Sequence, residues 1–304
     1  MGEAVTCRRQ RRSRAESIIL TVVVGALISS CGIGKDAGRV PTVARSPSPP
    51  VARSDVDVRR LVLPFDAYTL TDADIGELTT AQNLLTSRCM RERGLSWPIG
   101  TSVPGDRSPN RRRYGVVEMP VARAFGYHPP PVRTQRRSGD SDGADSTALS
   151  RKQRTAAYGA GGHGGCVAHA SSAVLRGVPH ADLSLLNRLD GRIWDASQHD
   201  PTVHAAFARW SACMRRQGYA FTDPITVNDD RRWQSKRASA AELATAVADV
   251  SCKQETTLVH TWHAAESSRQ RQAVAHNATY FAGLKAAKQH LIANAHAIIK
   301  AERS

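Results

Sequence analysis

Cysteine is the residue type whose chemistry depends most on its position in this sequence. Cys31 follows a short apolar run, whereas Cys89, Cys166, Cys213 and Cys252 are distributed over the rest of the chain. An even set of thiols in an exported protein forms disulfides, while metal-binding thiols usually come in Cys-x-x-Cys pairs. The sequence contains no such pair. The spacing therefore favours cross-links over a metal site.

A repeated segment surrounds two of these cysteines. Residues 89–97 read Cys-Met-Arg-Glu-Arg-Gly-Leu-Ser-Trp, and residues 213–221 read Cys-Met-Arg-Arg-Gln-Gly-Tyr-Ala-Phe. Cys, Met, Arg and Gly match in register, and both copies have an aromatic residue at the ninth position. The glycine predicts a helix end in each copy. We interpret the methionines as core residues rather than metal ligands.

The repeat also indicates how the cysteines pair. Cys166 follows the first copy and Cys252 the second, each on a further predicted helix. The pattern favours a Cys89–Cys166 and a Cys213–Cys252 disulfide, although four cysteines permit three connectivities and the sequence does not choose among them. On a loop-entropy model each closure would stabilise the fold by about 4 kcal/mol.

Helix-start signals place the repeat on long helices. Three such signals are a capping box at Thr71 and Asp74, an N-cap and first-turn pair at Asp200 and Pro201, and a capping box at Ser239 and Glu242. Only Gly283 interrupts the glycine- and proline-free sequence after Pro224, which predicts a long C-terminal helix or helical hairpin. That element either projects as a surface for a protein partner or packs back on the domain.

The fold class that follows is all-α. Aromatic residues make up 5% of the chain, which suits closely packed helices better than a sandwich of strands. We predict two disulfide-linked helical units, at 61–180 and 181–304, that form either separate domains or one merged domain.

The first thirty residues have the three-part pattern of an export signal. A cationic run that ends at Arg14 precedes an apolar stretch from Ile18 to Ile28. This stretch is too short to cross a bilayer, which takes about 20 apolar residues in a helix. Ile28 and the two serines after it resemble a bacterial lipobox, which implies that Cys31 is acylated. Residues 1–30 are thus a predicted lipoprotein signal peptide.

Other interpretations of this end of the chain remain open. The cysteine could follow an ordinary signal peptide by chance, or the segment could be an uncleaved anchor. Met1, Gly2 and Thr6 also fit an N-myristoylation pattern, which would leave the apolar run without a purpose. Residues 31–60, rich in Pro, Ser and Arg and without apolar periodicity, predict a disordered stalk. The expected location is the outer face of the bacterial cytoplasmic membrane.

The chain is strongly basic. Its formal charge is +15, and residues 1–30 carry five Arg against two Glu, so twelve positive charges remain after processing. An insertion at 105–155 holds eleven Arg or Lys against five acids. We interpret it as a largely mobile linker, with the alternative of a patch that touches lipid headgroups or an anionic wall polymer. The exported location argues against nucleic acid as a partner.

Three further patterns are weak candidates for chemistry. Residues 159–164 match the letters of a dinucleotide-binding glycine motif, but a charged, helix-like segment precedes them, so we predict a flexible hinge. His260 and His263 would share a helix face without an acidic third ligand. Cys166 with His169 could imitate a thiolate and its base, which a disulfide would prevent. We predict no catalytic residue, cofactor or metal.

The paired Cys-Met-x-x-x-Gly segments resemble a group of actinobacterial cell-surface lipoproteins of unassigned function. The similarity covers most of the chain from about residue 61, through four segments: Leu63-Pro64-Phe65-Asp66-Ala67-Tyr68, Arg113-Tyr114-Gly115, Gly126-Tyr127-His128 and Gly165-Cys166. This resemblance implies an organisation but no activity. The expected function is a non-enzymatic binding or interaction module, with a cell-envelope enzyme of unrecognised site as the alternative.

Overall fold

Every regular element that the structure describes is helical. The computed structural model describes residues 57, 60–97, 108–131 and 149–304. In these ranges the α-helices are α1 (Asp72–Glu92), α2 (Met119–Phe125), α3 (Arg151–Tyr158), α4 (Gly165–Val174), α5 (Ser184–Gln198), α6 (Pro201–Arg216), α7 (Pro224–Asn228), α8 (Ala240–Glu255), α9 (Leu258–His276) and α10 (Ala278–Arg303). Short 3₁₀ turns occupy Pro64–Tyr68, Ala160–Gly162 and Arg231–Trp233. The all-α prediction is confirmed.

The helices begin where the capping signals indicate. Thr71 and Asp74 form the reciprocal capping box of α1, and the Asp200 side chain accepts the N–H of Thr202 at the start of α6. Such caps satisfy N–H groups that have no partner inside the helix. These local contacts fix the first residue of each helix that carries the repeat.

The capping box predicted at the start of α8 is only half correct. Ser239 caps the helix by accepting the N–H of Glu242. The Glu242 side chain does not return to the cap. It lies fully buried and accepts the backbone N–H of Tyr127 at 2.9 Å. A contact across the core therefore replaces the local one.

The two copies of the repeat end their helices in the same way. Gly94 and Gly218 have φ values of 68° and 87°, a left-handed conformation that glycine adopts without strain. In both copies the next residue donates its N–H across the turn to the methionine carbonyl at 2.9 Å: Leu95 to Met90, and Tyr219 to Met214. Both methionines are fully buried. The predicted helix ends and the predicted core role of these methionines are confirmed.

The structure extends the repeat by one residue that the sequence reasoning missed. The arginine of each copy donates to a serine one turn earlier, Arg91 to Ser87 and Arg215 to Ser211. Each serine stands two positions before the repeated cysteine, so the match was visible in the sequence. Ser211 also donates to the carbonyl of Phe221 at 2.6 Å, which holds the segment after the glycine against α6.

Two disulfides join the repeat helices to their neighbours. Cys89 on α1 is bonded to Cys166 on α4, and Cys213 on α6 is bonded to Cys252 on α8. The local pairing favoured by the repeat is confirmed, and the other two connectivities are wrong.

The long C-terminal helices pack back on the fold. A left-handed Thr257 (φ 50°) separates α8 from α9, and the chain bends again at Asn277 between α9 and α10. Helix α9 lies against α5, α6 and α8, whereas α10 lies against α1 and α4. Phe281, Leu284 and Leu291 of α10 are buried. Each disulfide-linked helix pair thus has one long helix packed against it, and the projecting extension does not occur.

The described part of the insertion is not a solvated linker. Tyr114, Val116, Val117 and Val121 are buried in the same core as Trp210, and α2 packs on α8. The prediction of a mobile linker is therefore wrong for residues 108–131. The prediction followed the many arginines of this segment and overlooked the apolar residues between them, which are buried. Residues 98–107 and 132–148 lie outside the described part of the chain.

Two glycines make opposite predictions for substitution by alanine. Gly218 (φ 87°) has nothing within 4 Å of a built Cβ, so Gly218→Ala should destabilise the fold by about 1 kcal/mol through backbone strain alone. Gly191 is exposed in the middle of α5 and also has free space around a built Cβ. Because alanine has the higher helix propensity, Gly191→Ala should stabilise the fold by up to about 1 kcal/mol. Urea unfolding with both disulfides intact measures the two changes, and equal signs would contradict this account.

Candidate functional site

The predicted lipid anchor lies outside the described residues. This applies to the signal peptide at 1–30, to Cys31, to the myristoylation pattern at Met1 and to nearly all of the stalk at 31–60. Among the helices that the structure describes, none combines the length and the apolar character that a bilayer crossing requires.

The candidate metal pair does not form a site. His263 Nε2 lies 2.9 Å from the carbonyl oxygen of Val62, and its ring meets the edge of Tyr114, while His260 is exposed on the same helix. The described ranges bring together no group of three or more metal-ligating side chains. Cys166 is bonded to Cys89, so its sulfur is not a free nucleophile beside His169.

The glycine-rich segment forms a tight turn between two helices. Helix α3, not a strand, precedes it, and α4 begins directly after it. A Cβ on Gly159 would lie 1.8 Å from the carbonyl oxygen of His163, and one on Gly165 would lie 2.6 Å from that of Ala157. These glycines allow the start of α4 to approach the end of α3. The segment places Cys166 opposite Cys89, and its role is structural.

The consecutive arginines of the insertion point inward. Arg111 makes a two-pronged ion pair with Glu118, Arg112 donates to the carbonyl of Tyr127, and Arg113 binds Glu266 and Asp190. Their guanidinium groups are therefore used for internal contacts. The cluster that appears most basic in the sequence is thus paired within the fold.

Arg113 is the centre of a buried ionic network. Its Nε lies 2.7 Å from Glu266, a fully buried carboxylate that also accepts the hydroxyl of Tyr114 at 2.8 Å. Gln270 donates to Asp190 and accepts the N–H of Phe65 at 3.0 Å. Burial and the neighbouring Glu266 raise the pKa of Tyr114, so its proton stays in place. Four segments that are distant in sequence meet at this network.

A second buried pair fixes the insertion to α8. Lys253 Nζ lies 2.9 Å from Asp249 and 2.9 Å from the carbonyl of Val116, and Trp210 donates to Asp249 at 3.0 Å. Burial lowers the pKa of Lys253 and raises that of Asp249. A Cβ on Gly115 would lie 3.0 Å from the lysine nitrogen, which explains the glycine there. The closed packing makes this pair a structural support rather than an acid and base that meet a substrate.

An exposed groove lies beside the first disulfide. It has a volume of about 640 Å³ and is lined by Arg93, Leu95, Arg151, Lys152, Thr155 and Ala156. Arg93 follows α1 as its C-cap, while Arg151 and Lys152 open α3 after the Ser150 cap. Gln153 donates to the carbonyl and hydroxyl of Ser96 at 3.1 Å, which joins α3 to the segment after α1. The first disulfide unit therefore holds three cations at one concave surface.

The cations of this groove have few internal partners. Within the described ranges, Arg151 and Lys152 are exposed and make no ion pair or hydrogen bond through their side chains, and Arg93 donates one long hydrogen bond, to the carbonyl of Ala156 at 3.4 Å. The first turn of a helix also disfavours positive charge, because the helix dipole is positive there. An anion in the groove would offset this repulsion at Arg151 and Lys152. This basic groove is the candidate functional site.

Comparison of the chain with protein-family models, with curated proteins and with solved structures gave no match.

The contacts of His128 predict a pH dependence of stability. Its Nε2 lies 2.6 Å from the carbonyl of Ser235 and its Nδ1 2.8 Å from Glu242, and both acceptors require a ring N–H. These two contacts raise the pKa of His128. Since the folded-state pKa exceeds the unfolded value of about 6.5, the stabilisation is complete below that pH and is lost as the pH rises through the folded-state pKa.

The measurement is the free energy of unfolding from pH 5 to 9 for the parent and for His128→Gln. The difference between them should be largest at low pH and should shrink as the pH rises. His204→Gln is the control, because His204 is exposed and has no side-chain contact within the described residues. A difference for His128→Gln that stays constant with pH would contradict the assignment.

Proposed function

We propose that the protein is a lipid-anchored lipoprotein on the outer face of the bacterial cytoplasmic membrane, and that it acts as a non-enzymatic binding module for an anionic polymer of the cell wall. The observation that carries the proposal is the basic groove, whose cations at Arg93, Arg151 and Lys152 converge on one open surface beside a disulfide.

The covalent structure supports the extracytoplasmic location. Both disulfides join fully or partly buried cysteines that hold helices together, and such cross-links persist where thiols oxidise. The lipobox-like residues before Cys31 supply the anchor, and the Pro/Ser-rich segment up to residue 60 supplies a spacer. A tethered domain of this kind would reach into the wall from the bilayer surface.

Shape and charge together support a polymer as the ligand. A groove fits a chain that can lie along it, whereas a flat layer of lipid headgroups would touch only its rim. Exposed cations attract a polyanion at long range, and release of its counterions makes the binding sensitive to salt. The net charge of +12 that remains after removal of residues 1–30 adds to this attraction. The wall polymer is therefore preferred over headgroups as the occupant.

The anchor makes the first prediction for this proposal. A Cys31→Ala protein should lose labelling by radioactive palmitate and should move from the membrane to the soluble fraction. Cys7→Ala is the matched control, because Cys7 precedes the predicted cleavage site and should have no effect. If Cys31→Ala were labelled and fractionated like the parent, the lipid anchor would have to be abandoned.

The groove makes the second prediction. Arg151→Glu/Lys152→Glu should weaken binding to purified phosphate-rich wall polymer by about tenfold or more at low salt, since it reverses two of the three cations. Co-sedimentation with the polymer measures the effect. Added salt should weaken the binding of the parent more than that of the variant.

The control has the same net charge but an intact groove. Arg209→Glu/Lys285→Glu changes two exposed cations on α6 and α10 that make no side-chain contact within the described ranges. It should bind like the parent. Equal losses in both variants would mean that only net charge matters, and binding to anionic vesicles but not to the polymer would replace the proposed ligand.

A further inference from the structure

The two disulfides differ in how open they are to attack. Cys89 is half-buried, whereas Cys166, Cys213 and Cys252 have 0%, 1% and 0% of their surface exposed. Thiol–disulfide exchange needs an approach to one of the two sulfurs. The residue at which a reductant can approach is therefore Cys89, and the second disulfide offers no comparable access.

The charges around the two disulfides also differ. Cys89 packs with Leu95 and Ala156, which line the basic groove, and Arg93 stands one helical turn after it. At the second disulfide, a carboxylate oxygen of Glu255 lies 3.5 Å from the Cys213 sulfur, and Arg216 forms an ion pair with the same carboxylate. An attacking thiolate is an anion. The cations of the groove attract it, whereas the Glu255–Arg216 pair has no net charge to do so.

The two disulfides also differ in the thiolate that leaves when the bond is attacked, and this difference again favours exchange at the first disulfide. Cys166 is the second residue of α4, whose N-cap Gly164 supplies no side-chain hydrogen bond to the first turn. The free N–H groups and the positive end of the helix dipole stabilise a thiolate there. Cys213 and Cys252 lie in the last turns of α6 and α8, where the dipole disfavours negative charge. Only the first disulfide releases its thiolate at a helix start.

From these three asymmetries we infer that the Cys89–Cys166 disulfide, which lies beside the basic groove, is a site of thiol–disulfide exchange with a dithiol reductant that attacks Cys89. The Cys213–Cys252 disulfide is the permanent cross-link of the fold. This assignment does not depend on the ligand proposed for the groove.

The exchange balances in two steps. One thiolate of the dithiol attacks the Cys89 sulfur, the bond to Cys166 breaks, and the electron pair leaves on Cys166, which then takes a proton from solvent. The second thiol of the reductant then loses its proton to water. The resulting thiolate attacks the reductant's first sulfur in the mixed disulfide, and Cys89 leaves as a thiolate and takes up a proton. The protein disulfide gains two electrons, and the dithiol is oxidised to a disulfide.

The test uses the full chain isolated from cells with its disulfides intact. Free thiols are blocked with N-ethylmaleimide, the folded protein is exposed to dithiothreitol without denaturant, and newly formed thiols are alkylated and located by peptide mass. Cys89 and Cys166 should be labelled at least about tenfold faster than Cys213 and Cys252. Circular dichroism should show that the helices persist during the first reduction.

Two monothiols of opposite charge test the electrostatic step. The ratio of the reduction rate by anionic glutathione to that by cationic cysteamine should be larger at the first disulfide than at the second. Arg93→Ala should lower this ratio at the first disulfide. Should Arg93→Ala fail to fold, Lys152→Ala replaces it, since its side chain has no partner in the described ranges.

Any one of three results would overturn the inference. In the first, all four cysteines are labelled in a single step, as global unfolding would produce. In the second, Cys213 and Cys252 are labelled first. In the third, the ratio of the reduction rates by glutathione and cysteamine is the same at both disulfides.

Discussion

Glu266 is a carboxylate without contact to water, and the fold depends on how its charge is compensated. Arg113 and the hydroxyl of Tyr114 supply the partners, and Arg113 also binds Asp190 on α5. Removing one partner of such a buried pair typically costs about 3–5 kcal/mol, because the other charge stays buried. The insertion is therefore held in place by electrostatics as well as by its apolar residues.

This requirement explains why an arginine-rich segment lies in the interior. Two aromatic residues around the pair, Trp194 and Trp262, stack on each other, and the Tyr114 ring packs against both at a tilt. The Arg113 guanidinium lies 5.3 Å from the centre of the Trp194 ring. A flat, delocalised cation packs against such rings at lower desolvation cost than a lysine would. The neighbouring Tyr127 and His128 bind a different buried carboxylate, that of Glu242.

The sequence predicts what is decided locally. Helix caps such as Thr71 and the glycine ends of the repeat follow from patterns a few residues long and agree with the structure. The cysteine pairing was favoured by the order of the repeat, but the structure was needed to choose among the three connectivities. The partners of Arg113 could not be predicted, since Glu266 lies 153 positions away and its role depends on tertiary packing. One signal was present: Trp262, Glu266 and Gln270 repeat every fourth residue, so the acid and the amide occupy the buried stripe of α9.

The groove was partly foreseeable. The insertion was expected to be basic, but the sequence gives no indication that Arg111 and its neighbours are used internally while Arg151 and Lys152 remain at the surface. The difference arises from apolar context, because Tyr114, Val116 and Val117 draw the first group into the core. Helix α3 has only Ala157 buried, so its cations stay outside.

The position of α10 has a consequence for how the chain folds. Helix α10 covers α1 although it follows it far along the chain, and contacts such as Lys288 to the carbonyl of Thr69 span 219 positions of sequence. Because synthesis proceeds from the N-terminus, α1 is available long before α10. The Cys89–Cys166 bond closes a much shorter loop of 77 positions and can form in that interval. It would hold α1 and α4 together while the faces that α10 covers are still open, so docking of α10 is a late, long-range step in folding.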